Sequence, residues 1–248
     1  MKRKKVIICI PARYGSSRFP GKVLALLGGK PIIQWVYDKA RSSNTDDVIV
    51  ATEDKVVYDV VVKFGGKCIM TSKDHPSGTD RIHEAVKGID YDTVINIQGD
   101  EPLIEVETVN RLINLMESNK EVEMGTVVVK ADRRLIANNP NVVKAVLAKD
   151  NSALYFSRSE IPYSRERDMD APIYQHLGIY GYKKATLEKF VSLPPSMLEK
   201  CEMLEQLRAI ENGIKIHTII ADSNYGSGID TPDDLAKTEA IIAESLKK

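Results

Sequence analysis

Short apolar runs alternate with helical patterns through the first half of this chain, and that alternation is what most constrains its fold. The runs are Val6–Ile10, Val48–Ala51, Lys67–Met70 and Thr93–Ile97. Each is short and mostly apolar, as a strand covered on both faces must be. Helical spacing fills the gaps, over about 31–42, 53–64 and 79–88. In the second of these, Val56, Val57, Val60 and Val61 form one apolar stripe. A further helix over about 105–118 places Val106, Val109, Leu112, Ile113 and Met116 on one face. Such alternation predicts an α/β protein with a mostly parallel, mixed central sheet flanked by helices.

The second half reads as richer in strands. Glu123–Val129, Val142–Ala148, Ala153–Phe156, Leu177–Tyr182 and Ile214–Ile220 carry strand patterns, and an Asp150–Asn151 turn joins two of them into a hairpin. A long amphipathic helix is predicted over 196–212, with Leu198, Cys201, Leu204, Leu207 and Ile210 inward and Gly213 as its stop. Thr231–Pro232–Asp233–Asp234 reads as the start of a final helix. No repeat, low-complexity tract or linker interrupts the chain, so one domain over 1–248 is the simplest account.

Composition narrows the partners. Lys plus Arg and Asp plus Glu are equal at 35 each, which argues against nucleic acid or an anionic membrane surface. No run approaches the roughly 18 apolar residues of a membrane-spanning helix. The basic start is followed by too short an apolar run for a signal peptide, since Pro11 and Arg13 end it. Cys9, Cys68 and Cys201 are widely spaced in apolar contexts and read as reduced core thiols of a cytoplasmic protein.

The chemistry concentrates after the strands. The loop IPARYGSSRFPGK, Ile10 to Lys22, carries Gly15, Gly21, Arg13, Arg18 and Lys22 at the end of the first strand, where open α/β sheets bind ligands. Glycines admit close backbone approach and the cations suit a polyanion. It is not a Walker A loop, because Val23 follows Lys22 in place of Ser or Thr, and it is not GxGxxG. In VINIQGDEP, Asp100 sits just past a strand end, placed to hold Mg²⁺ against phosphate oxygens or to bond its own turn. Asp230 in YGSGIDTPDDL is a second such carboxylate, or merely the residue ahead of a helix. DHPSGTDR opens a helix whose free N–H groups suit an anion, although Ser77 or Thr79 would serve equally as its cap. Arg158, His176, Glu205 and Gln206 offer one cation and several hydrogen-bonding groups, a set suited to a hydroxylated carboxylic acid. His75 and His83 lack metal-ligand spacing.

The first loop resembles the signature of sugar nucleotidyltransferases. Taken in order, IPARYGSSRFPGK, DHPSGTDR, NIQGDEP, YFSRSEIP, HLGIYGY, EMLEQLR and GIDTPDDL resemble the cytidylyltransferases that activate 3-deoxy-D-manno-octulosonate (Kdo). The resemblance implies a nucleotide-diphospho-sugar transferase (Rossmann-like) fold, with a nucleotide-binding part over about 1–120, a sugar-binding and dimerisation part over about 121–225, and a C-terminal helix returning to the main sheet. It implies a homodimer that transfers CMP from CTP to the anomeric hydroxyl of Kdo, releases pyrophosphate, needs Mg²⁺ and serves lipopolysaccharide synthesis. On these residues it implies that Pro11, Ala12, Arg13, Lys22, Ser77, Gly78, Arg81 and Gln98 contact the nucleotide, with Lys22, Arg13, Asp100 and Asp230 catalytic. Asp100 and Asp230 would be the metal ligands, and Arg158, His176, Tyr180, Glu205 and Gln206 the sugar-acid contacts. The Asp168–Pro172 neighbourhood matches no part of that pattern and reads as an insert. The rivals are transfer to another acidic sugar such as a sialic acid, and a CTP-binding protein without catalysis.

Overall fold

Every residue of VIICIP except its last is buried, and this segment forms the strand β1 (Val6–Pro11). A strand without a polar position needs cover on both faces, so it lies inside a sheet. The computed structural model describes residues 4–16, 18–166, 172–223 and 228–245. Residues 168–171 of the segment read as an insert lie outside that set. The chain divides into two compact units, Met1–Ile113 with Tyr225–Lys248, and Asn114–Asn224.

After β1 the first unit continues with a two-stranded ribbon, β2 (Leu26–Leu27) and β3 (Lys30–Pro31), then α1 (Ile32–Arg41), β4 (Asp47–Thr52), α2 (Lys55–Lys63), β5 (Cys68–Met70), α3 (Gly78–Ala85) and β6 (Thr93–Asn96). The helix α4 (Val106–Ser118) carries the chain onward. The strands lie in the order β6, β1, β4, β5, and all pair parallel. Cys9 faces Ile49 on one side and Asn96 on the other, so β1, β4 and β6 end along one edge. That edge is where the loops of a parallel sheet gather around ligands.

The second unit holds β7 (Met124–Ala131), α5 (Arg133–Ile136), β8 (Lys144–Leu147), β9 (Ala153–Ser157), β10 (Ile173–Lys183), α6 (Lys184–Ser192), α7 (Met197–Glu202), α8 (Gln206–Glu211) and β11 (Ile216–Ala221). Here β11 runs parallel to β7, and β7 runs antiparallel to β10. The predicted hairpin exists as β8 with β9, and Asn151 takes the left-handed turn conformation that Asn tolerates, with φ of 60°. The final helix, α9 (Pro232–Ser245), returns to the first unit, where Leu27, Ile32, Ile229 and Ile242 form one buried cluster. The α/β class with a mixed, mostly parallel sheet is therefore as predicted. Among the described residues, no helix is long and apolar enough to cross a membrane.

Several expectations need correction. The single helix expected over 196–212 is two, α7 and α8, broken at Met203 with φ of 52°. Arg158 explains the break. Its guanidinium donates to the carbonyls of Glu202 at 2.7 Å and Met203 at 3.4 Å, replacing the helical partners those groups lack. Cys201 is exposed, on the outer side of α7, so only Cys9 is a core thiol and Cys68 is half-buried. In α2 only Val57 and Val61 point inward, and Val56 is exposed. The strand expected at Leu177–Tyr182 starts earlier, at Ile173, because Ile173, Gln175 and Leu177 alternate inward with period two. The helix α6 was not predicted. It buries Leu187 and Phe190, too few apolar positions for a clear stripe.

Phe190 is fully buried, stands 6.1 Å from the Tyr182 ring and carries the Arg208 guanidinium 4.9 Å from its centroid. Replacing it by Ala is expected to cost about 3–5 kcal/mol of stability. Urea unfolding of Phe190→Ala against the parent chain measures this, and a loss below about 1 kcal/mol would mean the ring is not a core anchor.

Candidate active site

The chain leaving β1 stays pinned to the sheet. The Ala12 N–H donates to Ala51 O at 2.9 Å, and the Tyr14 N–H donates to the Asp54 carboxylate at 2.5 Å. The loop then closes on itself, with the Gly21 N–H donating to Tyr14 O at 2.8 Å. Gly21 sits at φ of 71°, and a Cβ there would stand 3.0 Å from the Tyr14 ring, so glycine is required twice over. One turn of 3₁₀ helix, Lys22–Leu24, follows and turns the Lys22 side chain into the site.

Two other segments meet Lys22. Asp100 lies four residues past the end of β6. The Ile229 N–H donates to Asp100 O at 2.8 Å, and a Cβ on Gly228 would approach Asp100 Oδ1 to 3.2 Å. This close passage puts Asp230 next to Asp100. Asp230 is held in turn by the start of α9, where the Thr231 hydroxyl accepts from the Asp234 N–H and the Asp234 carboxylate accepts from the Thr231 N–H, a reciprocal cap. The Lys22 ammonium donates to the carboxylates of both Asp100 and Asp230, the second at 2.8 Å. The Arg18 guanidinium reaches the other oxygen of Asp230, also at 2.8 Å.

A cavity of about 330 Å³ opens over this pair, walled by Pro11, Ala12, Arg13, Lys22, Ser77, Gly78, Arg81, Gln98, Asp100 and Asp230. The structure thus brings together every residue the sequence assigned to the nucleotide and the metal. Their states differ. Arg13 is exposed and, among the described residues, makes no hydrogen bond or ion pair, so its charge is available. Arg81 is buried and engaged, donating to the Thr71 hydroxyl at 2.6 Å and Ser72 O at 3.2 Å and paired with Glu53. Ser77 is the cap of α3, accepting from the N–H groups of Thr79 and Asp80. The Gln98 amide donates to Asn96 at 3.3 Å.

Electrostatics follow from the packing. Burial works against the Lys22 charge, but Asp100 and Asp230 outweigh it and hold the amine above its ordinary value. Beside them lies the half-buried Glu101, which the sequence reading left without a role. Burial first and then the Asp100 charge push its carboxyl well above the usual range. Glu101 Oε2 has no hydrogen-bond partner among the described residues. His75, read as lacking a metal role, lies in the cavity wall and pairs with Glu84. Neither partner of Arg81 and His75 was legible, because Glu53 and Glu84 belong to other segments.

The sugar-acid candidates lie in the second unit. His176 and Tyr180 are neighbours on β10, with ring centroids 5.3 Å apart, and Phe156 closes the other side of His176 at 4.9 Å. Burial alone holds the His176 imidazole down to about 3, so it is neutral at physiological pH. Burial, then Tyr182 and then Glu205, push the Tyr180 phenol well above its usual value. Glu205 opens α8, and Gln206 behind it is buried with its Nε2 unpartnered among the described residues. They were expected on the polar outer face of one long helix. The break at Met203 turns them inward instead. Arg158 is committed to three carbonyls, those of Glu202, Met203 and Pro140. Lys144 lies fully buried below, donating to the carbonyls of Asn139, Val142 and Arg158.

A loop of cations over paired carboxylates at the carboxyl edge of a parallel sheet is the arrangement of an enzyme that handles nucleoside triphosphates. The cytidylyltransferase family profile matches residues 7–216, and the chain belongs to that family. Over 253 aligned residues it is 51% identical to a 3-deoxy-manno-octulosonate cytidylyltransferase of Thermodesulfovibrio yellowstonii, covering 96% of this chain and 98% of that one. An 8-amino-3,8-dideoxy-manno-octulosonate cytidylyltransferase of Shewanella frigidimarina is 47% identical, covering 95% and 99%. Among solved structures, that of a CMP:2-keto-3-deoxy-manno-octonic acid synthetase complexed with CTP superposes with a TM-score of 0.93 at 43% identity, covering 97% of this chain and 99% of that one.

The Lys22 bridge has a pH signature. Its amine is raised above 10.5, so its stabilisation is complete below that pH and is lost as pH rises through the higher folded value. The difference in Tm between the parent chain and Lys22→Gln is expected to stay constant from about pH 7 to 10 and to shrink above about 10.5. A difference independent of pH through that alkaline range would show that the ammonium does not hold the two carboxylates.

Proposed function

We propose that this protein transfers CMP from CTP to Kdo, giving CMP-Kdo and pyrophosphate. The observation that carries the reading is the cavity in which Arg13 and Lys22 face the Asp100–Asp230 pair, in a chain about half identical to Kdo cytidylyltransferases along its length. In this reading Arg13, without a hydrogen bond or ion pair among the described residues, and Lys22 take the triphosphate, and the N-terminal turn of α3 at Ser77 and Gly78 approaches the nucleotide. Because Ser77 is spent as a cap and Arg81 on Glu53, they shape the wall more than they bind.

Asp100 and Asp230 fit a hard divalent cation. Their oxygens already converge on one positive charge, the Lys22 ammonium. Among the described residues no group of three or more metal-ligating side chains exists. Two carboxylates with phosphates and water completing the shell is the usual arrangement for Mg²⁺. When bound there, Mg²⁺ supplies positive charge that stabilises the phosphoryl transfer. Lys22 and Arg13 stabilise the departing pyrophosphate, and positioning does most of the rest. His176, Tyr180, Glu205 and Gln206 are assigned to the sugar acid, with Arg158 setting the turn that carries the last two.

The three cysteines are free, which supports a reducing, cytoplasmic setting. We also assign a homodimer, supported by Leu154, Met197 and Met203 exposed on the second unit. Sedimentation in solution tests the assembly.

Pyrophosphate release is expected with CTP, Kdo and Mg²⁺ together, and not when any one is omitted. UTP, a sialic acid and the 8-amino analogue of Kdo complete the panel, and turnover with one of those acids but not Kdo would overturn the substrate assignment. Asp100→Asn and Asp230→Asn are each expected to lower kcat about a hundredfold or more while CTP binding changes far less. Near-normal turnover in Asp230→Asn would remove the paired-carboxylate reading.

A further inference from the structure

The register of β10 against β7 slips between His176 and Tyr180, where Gly178 takes φ of 71°. The slip leaves the Ile179 carbonyl outside the regular ladder. The Thr126 hydroxyl, fully buried on β7, donates to it at 2.6 Å. The same oxygen stands 2.9 Å from His176 Nε2. A threonine hydroxyl has one proton. A carbonyl has none to give, so that proton lies on the bond to Ile179. The short contact to His176 then needs its hydrogen from the imidazole, which must carry it on Nε2. The ring is neutral, so Nδ1 keeps a bare lone pair, and among the described residues it has no hydrogen-bond partner.

We propose that Thr126 is a positioning residue that locks His176 as its Nε2–H tautomer, so that Nδ1 accepts a hydrogen bond from a hydroxyl of the sugar acid. This rests on the assignment of His176 to that substrate. A lone pair repels a carboxylate, so His176 selects the hydroxylated part of the acid and leaves the carboxylate to other groups. The slip in β10 thus has a chemical purpose, because the residue that repairs its backbone also sets the tautomer.

Nitrogen-15 NMR of the intact protein at neutral pH reads the tautomer without any activity assay. The expected pattern is a pyrrole-type resonance at His176 Nε2 and a pyridine-type resonance at Nδ1, and the reverse pattern overturns the role of Thr126. In kinetics, Thr126→Val is expected to raise KM for Kdo about tenfold with KM for CTP unchanged, and Thr126→Ser to restore it. A Thr126→Val protein with parental KM for Kdo and the parental NMR pattern overturns the proposal. Should the valine variant not fold, the parent spectrum and the serine variant decide. His176→Ala separates the two layers. An unchanged KM for Kdo there removes the sugar assignment and the substrate half of the proposal, while the parent spectrum still reports on Thr126.

Discussion

The candidate site depends on one cation held between two carboxylates. Without Lys22, Asp100 and Asp230 would bring two like charges together at the mouth of a cavity with only Arg18 beside Asp230 to offset them. The ammonium removes that conflict. It draws together a loop after the first strand, the chain end of β6 and the approach to the last helix. Arg18 on the far side of Asp230 adds a second counter-charge. The two carboxylates are therefore already assembled at one point and paired with cations.

The second unit reaches order by different means. Its polar groups are buried and mostly satisfied by backbone. Arg158 ends one helix by taking carbonyls, Lys144 fills a ring of three more, and Thr126 repairs a slipped ladder. Groups so committed cannot move freely. Among the described residues, the groups they leave uncommitted include the Gln206 amide and one face of His176. Groups left unpaired in a surround that cannot relax to pair them are the ones able to bond a polar ligand.

Legibility followed the range of the interaction. Elements whose cause is local, such as the apolar run of β1, the cap at Thr231 and the Asn151 turn, were readable from a few neighbouring residues. Loop residues at strand ends were also found, because parallel strands put their loops on one edge and Lys22, Asp100 and Ser77 each follow such a strand or open such a helix. The errors share a cause. Cys201, Glu205 and Gln206 were placed by continuing a helical period through Met203. The break there is imposed by Arg158, which lies about forty residues away in the chain. Glu101 escaped notice because the first cause of its raised carboxyl is burial, which neighbouring residues in the sequence do not show.

The sequence by itself determined the class of fold, the edge on which the site would lie and the residue types that would line it. These follow from strand and helix periodicity and from charge placed in glycine-rich loops, all local properties. Only the tertiary structure decided which of those side chains are free to act. Arg13 and Arg81 look alike in sequence, yet one is open to solvent and the other is spent on Glu53, Thr71 and Ser72. Likewise the tautomer of His176 is settled by a single proton on Thr126, fifty residues earlier in the chain. A donor or charge becomes available only when folding leaves it without a partner, and partners are assigned in space.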